Sequence, residues 1–329
     1  MIITRTPFRI TFGGGGTDLP SFYKKYGGFI FSAAIDKYMF INVNRPIVDD
    51  LVRVKYSISE TTESIHEIKH ELARECCKTM GIEKAIEIIS MADIPAGTGL
   101  GSSSSYTVGL LNALHTMKRN YISLKELAEE ACRIEIDIIG KPIGKQDQYI
   151  AAFGGLTVLE IDKNGEVEVR GAIMNPAVIE ELENNILIFY EGSSRSTVEI
   201  LEEQSKKVEK KEGDAINSML LIKDIGYKIL HAFEEGKLRE FGELMHEHWL
   251  AKKKISEKIT SPRIDSLYDI ARENGAVGGK IMGAGGGGFF MFYCENNDKC
   301  KLRKVMEENG LRELKYHFDF DGSKVLANF

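Results

Sequence analysis

A glycine-rich segment followed by a run of serines is the strongest sign of chemistry in this sequence. Residues 95–105 are PAGTGLGSSSS, after a strand-like stretch and before a helical one. Alternating glycines let the backbone approach a ligand, and the first turn of a helix offers unpaired N–H groups to an anion. Serine hydroxyls can bond phosphate oxygens or ligate a cation. The segment predicts a phosphate-binding loop; the alternative is a glycine turn with serine caps.

Two carboxylates follow this loop along the chain. Glu135 lies in the last turns of a predicted helix, and Asp147 lies in a glycine-flanked loop just beyond it. Near a phosphate cradle such carboxylates can ligate Mg²⁺ or orient a nucleophilic hydroxyl. Taken alone, each would be interpreted as a surface acid or as part of a helix-end charge pair.

Two further glycine clusters flank the middle one. Gly13–Gly16 end a strand-like run and precede Thr17-Asp18, which predicts a backbone wrapped around a ligand, with Asp18 accepting hydrogen bonds from sugar-type hydroxyls. Residues 283–288 match G-x-G-x-x-G, the pattern of a dinucleotide site. That site needs a strand before the glycines and a helix after them, and here the order is reversed. We therefore predict a close backbone contact that braces the other glycine loop.

A zinc site is a remote alternative. His66-Glu67-x-x-His70 matches the H-E-x-x-H pattern of zinc peptidases on a predicted helix. Ile68 and Leu72 mark the buried face of that helix, and both histidines lie off it. A solvated, charged helix face is the preferred interpretation.

The elements that must position these residues fall into two parts. The first part is rich in strands, and the second is rich in long helices, with a boundary near residue 170. Ser123 with Glu126 forms a capping box, and Ser261-Pro262 marks another helix start. The predicted strands cover 5–12, 29–43, 53–58, 85–92, 154–161, 166–169, 186–190, 289–294 and 316–320. The main predicted helices cover 64–80, 104–119, 123–139, 196–211, 215–235, 237–256 and 261–274, with one more ending at 310.

Composition excludes several classes of protein. The 329 residues are 43% hydrophobic and 28% charged, with a net charge of −6, which argues against nucleic acid or an anionic membrane as the main partner. No stretch has the roughly 18 apolar residues of a spanning helix. The five scattered cysteines are typical of reduced thiols, so we expect a cytoplasmic protein. A homodimer is left open.

Together, three segments resemble the signature motifs of the GHMP kinases, the family of galactokinase, homoserine kinase, mevalonate kinase and phosphomevalonate kinase. The resemblance spans nearly the whole chain. It implies an α+β, two-layer fold, with a ribosomal-protein S5-like N-terminal domain over residues 1–170 and a ferredoxin-like C-terminal domain over 171–329. The motifs are Pro7-x-Arg9…Gly14-x-x-Thr17-Asp18, then Pro95-x-Gly97-x-Gly99-Leu100-Gly101-Ser102-Ser103, and Lys280-x-x-Gly283-Ala284-Gly285-Gly286-Gly287.

The resemblance also implies cofactors and roles. ATP and Mg²⁺ are expected, the metal on Ser103 and Glu135, with Asp147 beside the acceptor hydroxyl and Arg9 near the γ-phosphate. Asp147 as general base is one hypothesis, and the alternative is that it only orients the hydroxyl. The expected ATP-binding residues are Pro95, Gly97, Thr98, Gly99, Leu100, Gly101, Ser102, Ser103 and Ser104. The expected substrate-binding residues are Gly15, Gly16, Thr17 and Asp18. The expected loop-supporting residues are Gly283, Gly285 and Gly286.

The first motif also bears on the substrate. Galactokinases carry Gly-Glu-His-Thr-Asp where this chain has Gly14-Gly15-Gly16-Thr17-Asp18, so galactose is disfavoured. The string over residues 12–20 looks most like that of kinases that phosphorylate C1 of D-glycero-D-manno-heptose 7-phosphate. Fucokinases are the nearest alternative, and a non-catalytic ATP or sugar sensor is a remote one. A 7-phosphate needs a second anion site, for which Arg195, at a predicted helix start, is the candidate.

Overall fold

The computed structural model describes residues 1–173, 175–192, 197–210 and 213–329. This part of the chain contains twelve strands and eleven α-helices. The strands are β1 (Ile2–Gly13), β2 (Gly28–Asn44), β3 (Val52–Lys55), β4 (Ser59–Thr62), β5 (Ile86–Ala92), β6 (Leu156–Ile161), β7 (Val167–Gly171), β8 (Ile186–Tyr190), β9 (Ala276–Ile281), β10 (Phe289–Cys294), β11 (Arg312–Leu314) and β12 (Lys324–Asn328). The helices are α1 (Pro20–Tyr26), α2 (Glu71–Thr79), α3 (Ser102–Met117), α4 (Leu124–Cys132), α5 (Gln146–Phe153), α6 (Pro176–Asn185), α7 (Thr197–Glu209), α8 (Gly213–Glu234), α9 (Leu238–Lys253), α10 (Pro262–Glu273) and α11 (Lys299–Glu308).

The first sheet has eight strands, in the order β12-β1-β2-β5-β3-β4, with β6 on β2 and β7 on β6. β1 and β2 are antiparallel from Ile2 opposite Val43 to Gly13 opposite Phe31. Strand β2 has 17 residues, so β5 and β6 pair with different ends of it. Helices α3 and α5 pack against this sheet. The sheet thus holds the middle of β1 directly beside the start of α3.

The second sheet has four antiparallel strands in the order β11-β8-β10-β9. All six residues of β10 are buried, as expected for an apolar strand covered on both faces. Helix α9 packs on β9 and also contacts α8. Two sheets with helices against them confirm the expected mixed α/β class. In the described residues, no helix combines the length and the apolar character that crossing a membrane requires.

Local helix signals predict the starts of two helices correctly. Ser123 and Glu126 form a reciprocal capping box at α4. The Ser261 hydroxyl accepts from the backbone N–H of Ile264, with Pro262 at the first position of α10. Each start depends on residues three positions apart, so the sequence alone is sufficient to locate it.

Two predicted elements are wrong in detail. The helix expected over 64–80 is a short 3₁₀ turn followed by α2, because the His70 ring caps α2 by accepting from the N–H of Ala73. The strand expected over 316–320 forms a single bridge, between Phe318 and β2. Alternating apolar residues there pack onto the core without a continuous hydrogen-bonded partner.

The last strand returns to the first sheet. β12 pairs antiparallel with β1, although it lies more than 150 residues beyond the predicted boundary near residue 170, which we retain as a proposal. Just before β12, the Asp319 carboxylate accepts from Arg5 at 3.3 Å and from the Tyr38 hydroxyl at 2.8 Å. The two ends of the described chain are therefore joined in one sheet.

Candidate active site

The glycine loop before α3 is held in a conformation that needs glycine. Gly97, Gly99 and Gly101 have φ of +79°, +86° and +81°, a left-handed region that residues with a Cβ rarely adopt. Gly101 directly precedes α3. The carbonyl of Leu100 accepts from the backbone N–H of Arg9 at 3.1 Å, which ties the loop to β1. The first turn of α3 therefore presents its unpaired N–H groups at a fixed place beside the sheet.

The third glycine segment packs against this loop, backbone to backbone. A Cβ on Gly283 would lie 2.7 Å from the Cα of Gly99, and one on Gly288 would lie 2.5 Å from the carbonyl oxygen of Thr98. Gly285 and Gly286 instead lie against Ile259, whose carbonyl accepts from the Gly286 N–H at 2.8 Å. Only residues without side chains fit at such distances.

An arginine–carboxylate pair lies directly beside the loop. Arg9 Nε donates to Asp147 Oδ1 at 2.7 Å, and Arg9 Nη1 donates to the carbonyl of Gly99 at 2.6 Å. Arg9 comes from β1 and Asp147 from the first turn of α5. The guanidinium therefore fixes the carboxylate and the glycine loop relative to each other. This geometry places one anionic and one cationic group side by side at the glycine loop.

Glu135 is fully buried next to the start of α3. Its Oε2 accepts from Ser103 Oγ at 3.2 Å, its Oε1 accepts from Gln148 at 3.2 Å, and Lys141 Nζ lies 3.5 Å away. Burial raises the pKa of the Glu135 carboxyl, and the nearby Lys141 acts in the opposite direction.

Ser103 and Glu135 fit a magnesium site. A hydroxyl and a carboxylate are hard oxygen donors, and neighbouring ligands of an octahedral Mg²⁺ lie about 3 Å apart. The observed Ser103 Oγ to Glu135 Oε2 distance is 3.2 Å. In this structure the Lys141 ammonium group donates to Ser103 at 2.9 Å and lies beside Glu135, so it occupies the position where a Mg²⁺ ion would bind and would have to move aside for one.

Asp18 is buried in the turn after β1 and is held by backbone groups. Its carboxylate accepts from the N–H of Gly16 at 3.1 Å and from the N–H of Gln146 at 3.0 Å. A Cβ on Gly144 would meet Asp18 Oδ2 at 2.0 Å, so a glycine is needed there. Burial raises the pKa of Asp18, and the backbone hydrogen bond from Gln146 opposes this.

Most of the predicted site residues line a single cavity of about 270 Å³. Six others do not line it. Thr17 is buried and bonds the backbone of Phe29 through its hydroxyl, and the Thr98 hydroxyl donates to the carbonyl of Pro95. The other four, Pro95, Leu100, Gly285 and Gly286, are also absent from its lining. The predicted residues that line the cavity are Arg9, Gly15, Gly16, Asp18, Gly97, Gly99, Gly101, Ser102, Ser103, Ser104, Glu135, Asp147 and Gly283.

The cavity also contains residues that the sequence analysis missed, notably His248 and Lys252 of α9 and Gln204 of α7. His248 and Lys252 are four positions apart, so they share one face of α9. That spacing is the signal that could have found them, but basic residues on a helix are usually solvated. Arg195, the predicted second anion site, lies outside the described residues.

The histidines of the zinc alternative lie apart from this cavity. His66 is exposed in the 3₁₀ turn, and His70 uses Nδ1 to cap α2. Within the described ranges, no group of three or more His, Cys, Asp or Glu residues could hold a metal ion.

Comparisons with known proteins identify the family. The models of the GHMP kinase N-terminal and C-terminal domains match residues 66–155 and 229–310, together just over half of the chain. A D-glycero-alpha-D-manno-heptose 7-phosphate kinase of Campylobacter jejuni is 28% identical over 98% of this chain and 97% of the relative. The L-fucokinase/L-fucose-1-P guanylyltransferase of Bacteroides fragilis is 25% identical over 93% of this chain but only 36% of its own length.

A solved structure is similar over the full length. The crystal structure of a D-glycero-D-manno-heptose 1-phosphate kinase from Bacteroides thetaiotaomicron has a TM-score of 0.81 at 25% identity, covering 100% of both chains. The two heptose kinases are named for different phosphate positions.

Proposed function

This chain belongs to the GHMP kinases, phosphotransferases with an alcohol group as acceptor, and on that premise we propose that it phosphorylates a heptose phosphate. The proposed reaction transfers the γ-phosphoryl group of ATP to the anomeric C1 hydroxyl of D-glycero-D-manno-heptose 7-phosphate, giving the 1,7-bisphosphate. Full-length similarity to two heptose kinases supports this sugar over the fucose alternative.

The observation that carries the proposal is that the phosphate loop, the Arg9–Asp147 pair and Asp18 all border one cavity. Phosphoryl transfer needs mainly positioning and charge neutralisation. The start of α3 would bind the phosphates of ATP, and Arg9 would stabilise charge on the transferred group. Asp18, which lines the same cavity and lies beside Gly16 and Gln146, would bind sugar hydroxyls.

Asp147 is the residue we assign to the acceptor hydroxyl. Arg9 binds its Oδ1, so Oδ2 is the oxygen assigned to the proton that leaves C1–OH. Ser103 and Glu135 would hold Mg²⁺, which neutralises the phosphates when it is bound. As the oxygen of C1 attacks the γ-phosphorus, the bond from that phosphorus to the bridging oxygen breaks and ADP leaves.

The test is a coupled ADP-release assay with Mg²⁺-ATP against a panel of acceptors. The panel contains D-glycero-D-manno-heptose 7-phosphate, the unphosphorylated heptose, L-fucose, galactose, mannose, mevalonate and homoserine. Strong turnover of the heptose 7-phosphate alone is the expected result. Turnover of L-fucose instead would be consistent with the proposed mechanism but would contradict the proposed substrate. No turnover of any acceptor would favour an ATP or sugar sensor.

A further inference from the structure

Charged residues are distributed unevenly between the two sides of the cavity. Its three carboxylates, Asp18, Glu135 and Asp147, come from the first half of the chain, which also contributes the basic groups of Arg9 and Lys141. The facing side, from α7, α9 and the β9 segment, has no carboxylate among the described lining residues. It contributes three basic groups, from His248, Lys252 and Lys280.

Each of these basic groups is buried yet retains unused hydrogen-bonding capacity. Lys252 Nζ donates to the carbonyls of Gly283 at 2.5 Å and Ile281 at 3.5 Å, and Lys280 Nζ donates to that of Phe12 at 2.7 Å. An ammonium group has three donors, so these bonds do not exhaust either lysine. His248 is 1% exposed, and neither ring nitrogen has a partner among the described residues.

A buried polar group without a partner is uncommon and calls for an explanation. Three basic groups buried together cost still more, because each disfavours the charge on the others. Burial and the neighbouring Arg9 lower the pKa of Lys252 to about 7, and burial with Lys252 and Arg9 lowers that of Lys280. The pKa of His248 is lowered by burial and by both lysines. An anion would relieve this repulsion and would accept hydrogen bonds from His248 and from the remaining donors of the two lysines.

We propose that His248, Lys252 and Lys280 form the subsite for the phosphate group that the acceptor sugar already carries. The inference deepens the proposed function and rests on its acceptor being a phosphorylated sugar. Arg195, the earlier candidate, is not needed for this subsite.

The position of the cluster favours the acceptor over ATP. Lys280 bonds the carbonyl of Phe12, directly before the Gly13–Gly16 turn that leads to Asp18. Gly16 in turn lies against Gln204, which also lines the cavity. The nucleotide phosphates have their own donors at the start of α3, so the cluster on the facing side remains for a second phosphate.

The distinguishing variant is Lys252→Met, which keeps the length of the side chain and removes its charge. The matched control is Lys254→Met, an exposed lysine just beyond the same helix. Calorimetry would measure binding of D-glycero-D-manno-heptose 7-phosphate and of the unphosphorylated heptose to each full-length protein, and kinetics would give the KM for ATP.

We expect Lys252→Met to weaken binding of the heptose 7-phosphate by about tenfold or more, the loss of one charge-assisted hydrogen bond. Binding of the unphosphorylated heptose and the KM for ATP should stay close to wild type, and Lys254→Met should change none of them. Equal weakening for both sugars would indicate a structural role through Gly283 and would overturn the proposal. A raised KM for ATP alone would assign the cluster to the nucleotide and would also overturn it.

His248→Gln provides a second variant in case Lys252→Met does not fold, and the same loss of preference for the phosphorylated sugar is expected. Wild type could fail to phosphorylate the heptose 7-phosphate but bind mannose 6-phosphate with the same dependence on Lys252. That result would contradict the proposed substrate and support the phosphate subsite. If wild type phosphorylates the heptose 7-phosphate and neither variant lowers its preference over the unphosphorylated heptose, the subsite falls and the function stands.

The pH dependence supplies an independent readout. Lys252 interacts electrostatically with Arg9 of β1, His248 of α9 and Lys280 of β9, and burial with Arg9 lowers the pKa of Lys252 to about 7. A bound phosphate would raise that pKa, so binding takes up protons and affinity falls as the pH rises above about 7. This slope should be shallower in Lys252→Met, because only His248 and Lys280 then remain to take up protons, and an unchanged slope would contradict the assignment.

Discussion

Asp147 is the residue whose chemistry is most sharply testable. Replacing it with Asn keeps a similar shape but removes the negative charge that pairs with Arg9 at 2.7 Å. If Asp147 accepts the acceptor's proton, kcat should fall by about 100- to 10,000-fold with little change in the KM for ATP. Asp137→Asn, an exposed acid outside the cavity, is the control. Near-normal turnover of Asp147→Asn would exclude an essential base.

Glu135 offers a second prediction at the scale of a single residue. Glu135→Gln should raise the Mg²⁺ concentration for half-maximal rate by about tenfold, about 1.4 kcal/mol, because a carboxylate ligand becomes a neutral amide. The measurement is a Mg²⁺ titration at fixed ATP, with exposed Glu168→Gln as the control. A Mg²⁺ titration curve for Glu135→Gln that matches that of wild type would show that Glu135 is not a metal ligand.

The contact between the glycine segments can be tested at the scale of elements. Gly283 has φ of +64° and would clash with Gly99, whereas Gly310 has φ of +83° and no atom within 4 Å of an added Cβ. Alanine at either position should cost about 1–2 kcal/mol of stability from the left-handed backbone. Only Gly283→Ala should also raise the KM for ATP, because it displaces the phosphate loop. Urea unfolding and steady-state kinetics measure both effects.

At this scale the sequence predicts what depends on nearby residues. Ser123 and Ser261 mark helix starts because each bonds an N–H three residues away. The break at His70 was missed because an imidazole ring capping a helix depends on its rotamer and packing. The glycine motifs can be recognised in the sequence. The contact of Gly283 with Gly99 cannot, because it joins residues 184 positions apart.

The return of the chain to its first sheet gives a prediction at the scale of the molecule. Asp319 accepts from Arg5, from the Tyr38 hydroxyl and from the N–H groups of Asp321 and Gly322. Asp319→Ala should lower the free energy of unfolding by about 1–3 kcal/mol, because buried donors lose their acceptor. Asp321→Ala, at an exposed site, should have a smaller effect on the denaturant midpoint. Equal midpoints for the two variants would contradict this.

The long-range pairing was the part of the fold that the sequence could not predict. β12 is five residues long, and nothing within it indicates that β1 is its partner rather than another strand. The same limit applies to the basic side of the cavity. His248 and Lys280 are 32 positions apart, and only tertiary packing brings them to one place. The order of the motifs is enough to identify the family. The grouping of basic residues on the facing side of the cavity can be seen only in the structure.

The closing of the first sheet by β12 has a consequence for synthesis of the protein. One edge of β1 stays uncovered until residues 324–328 have left the ribosome, although most of the first sheet is translated far earlier. Exposed strand edges favour pairing with other chains. A nascent chain would therefore carry an open edge through translation of the whole second half, and a chaperone that covers sheet edges would act on it during that interval.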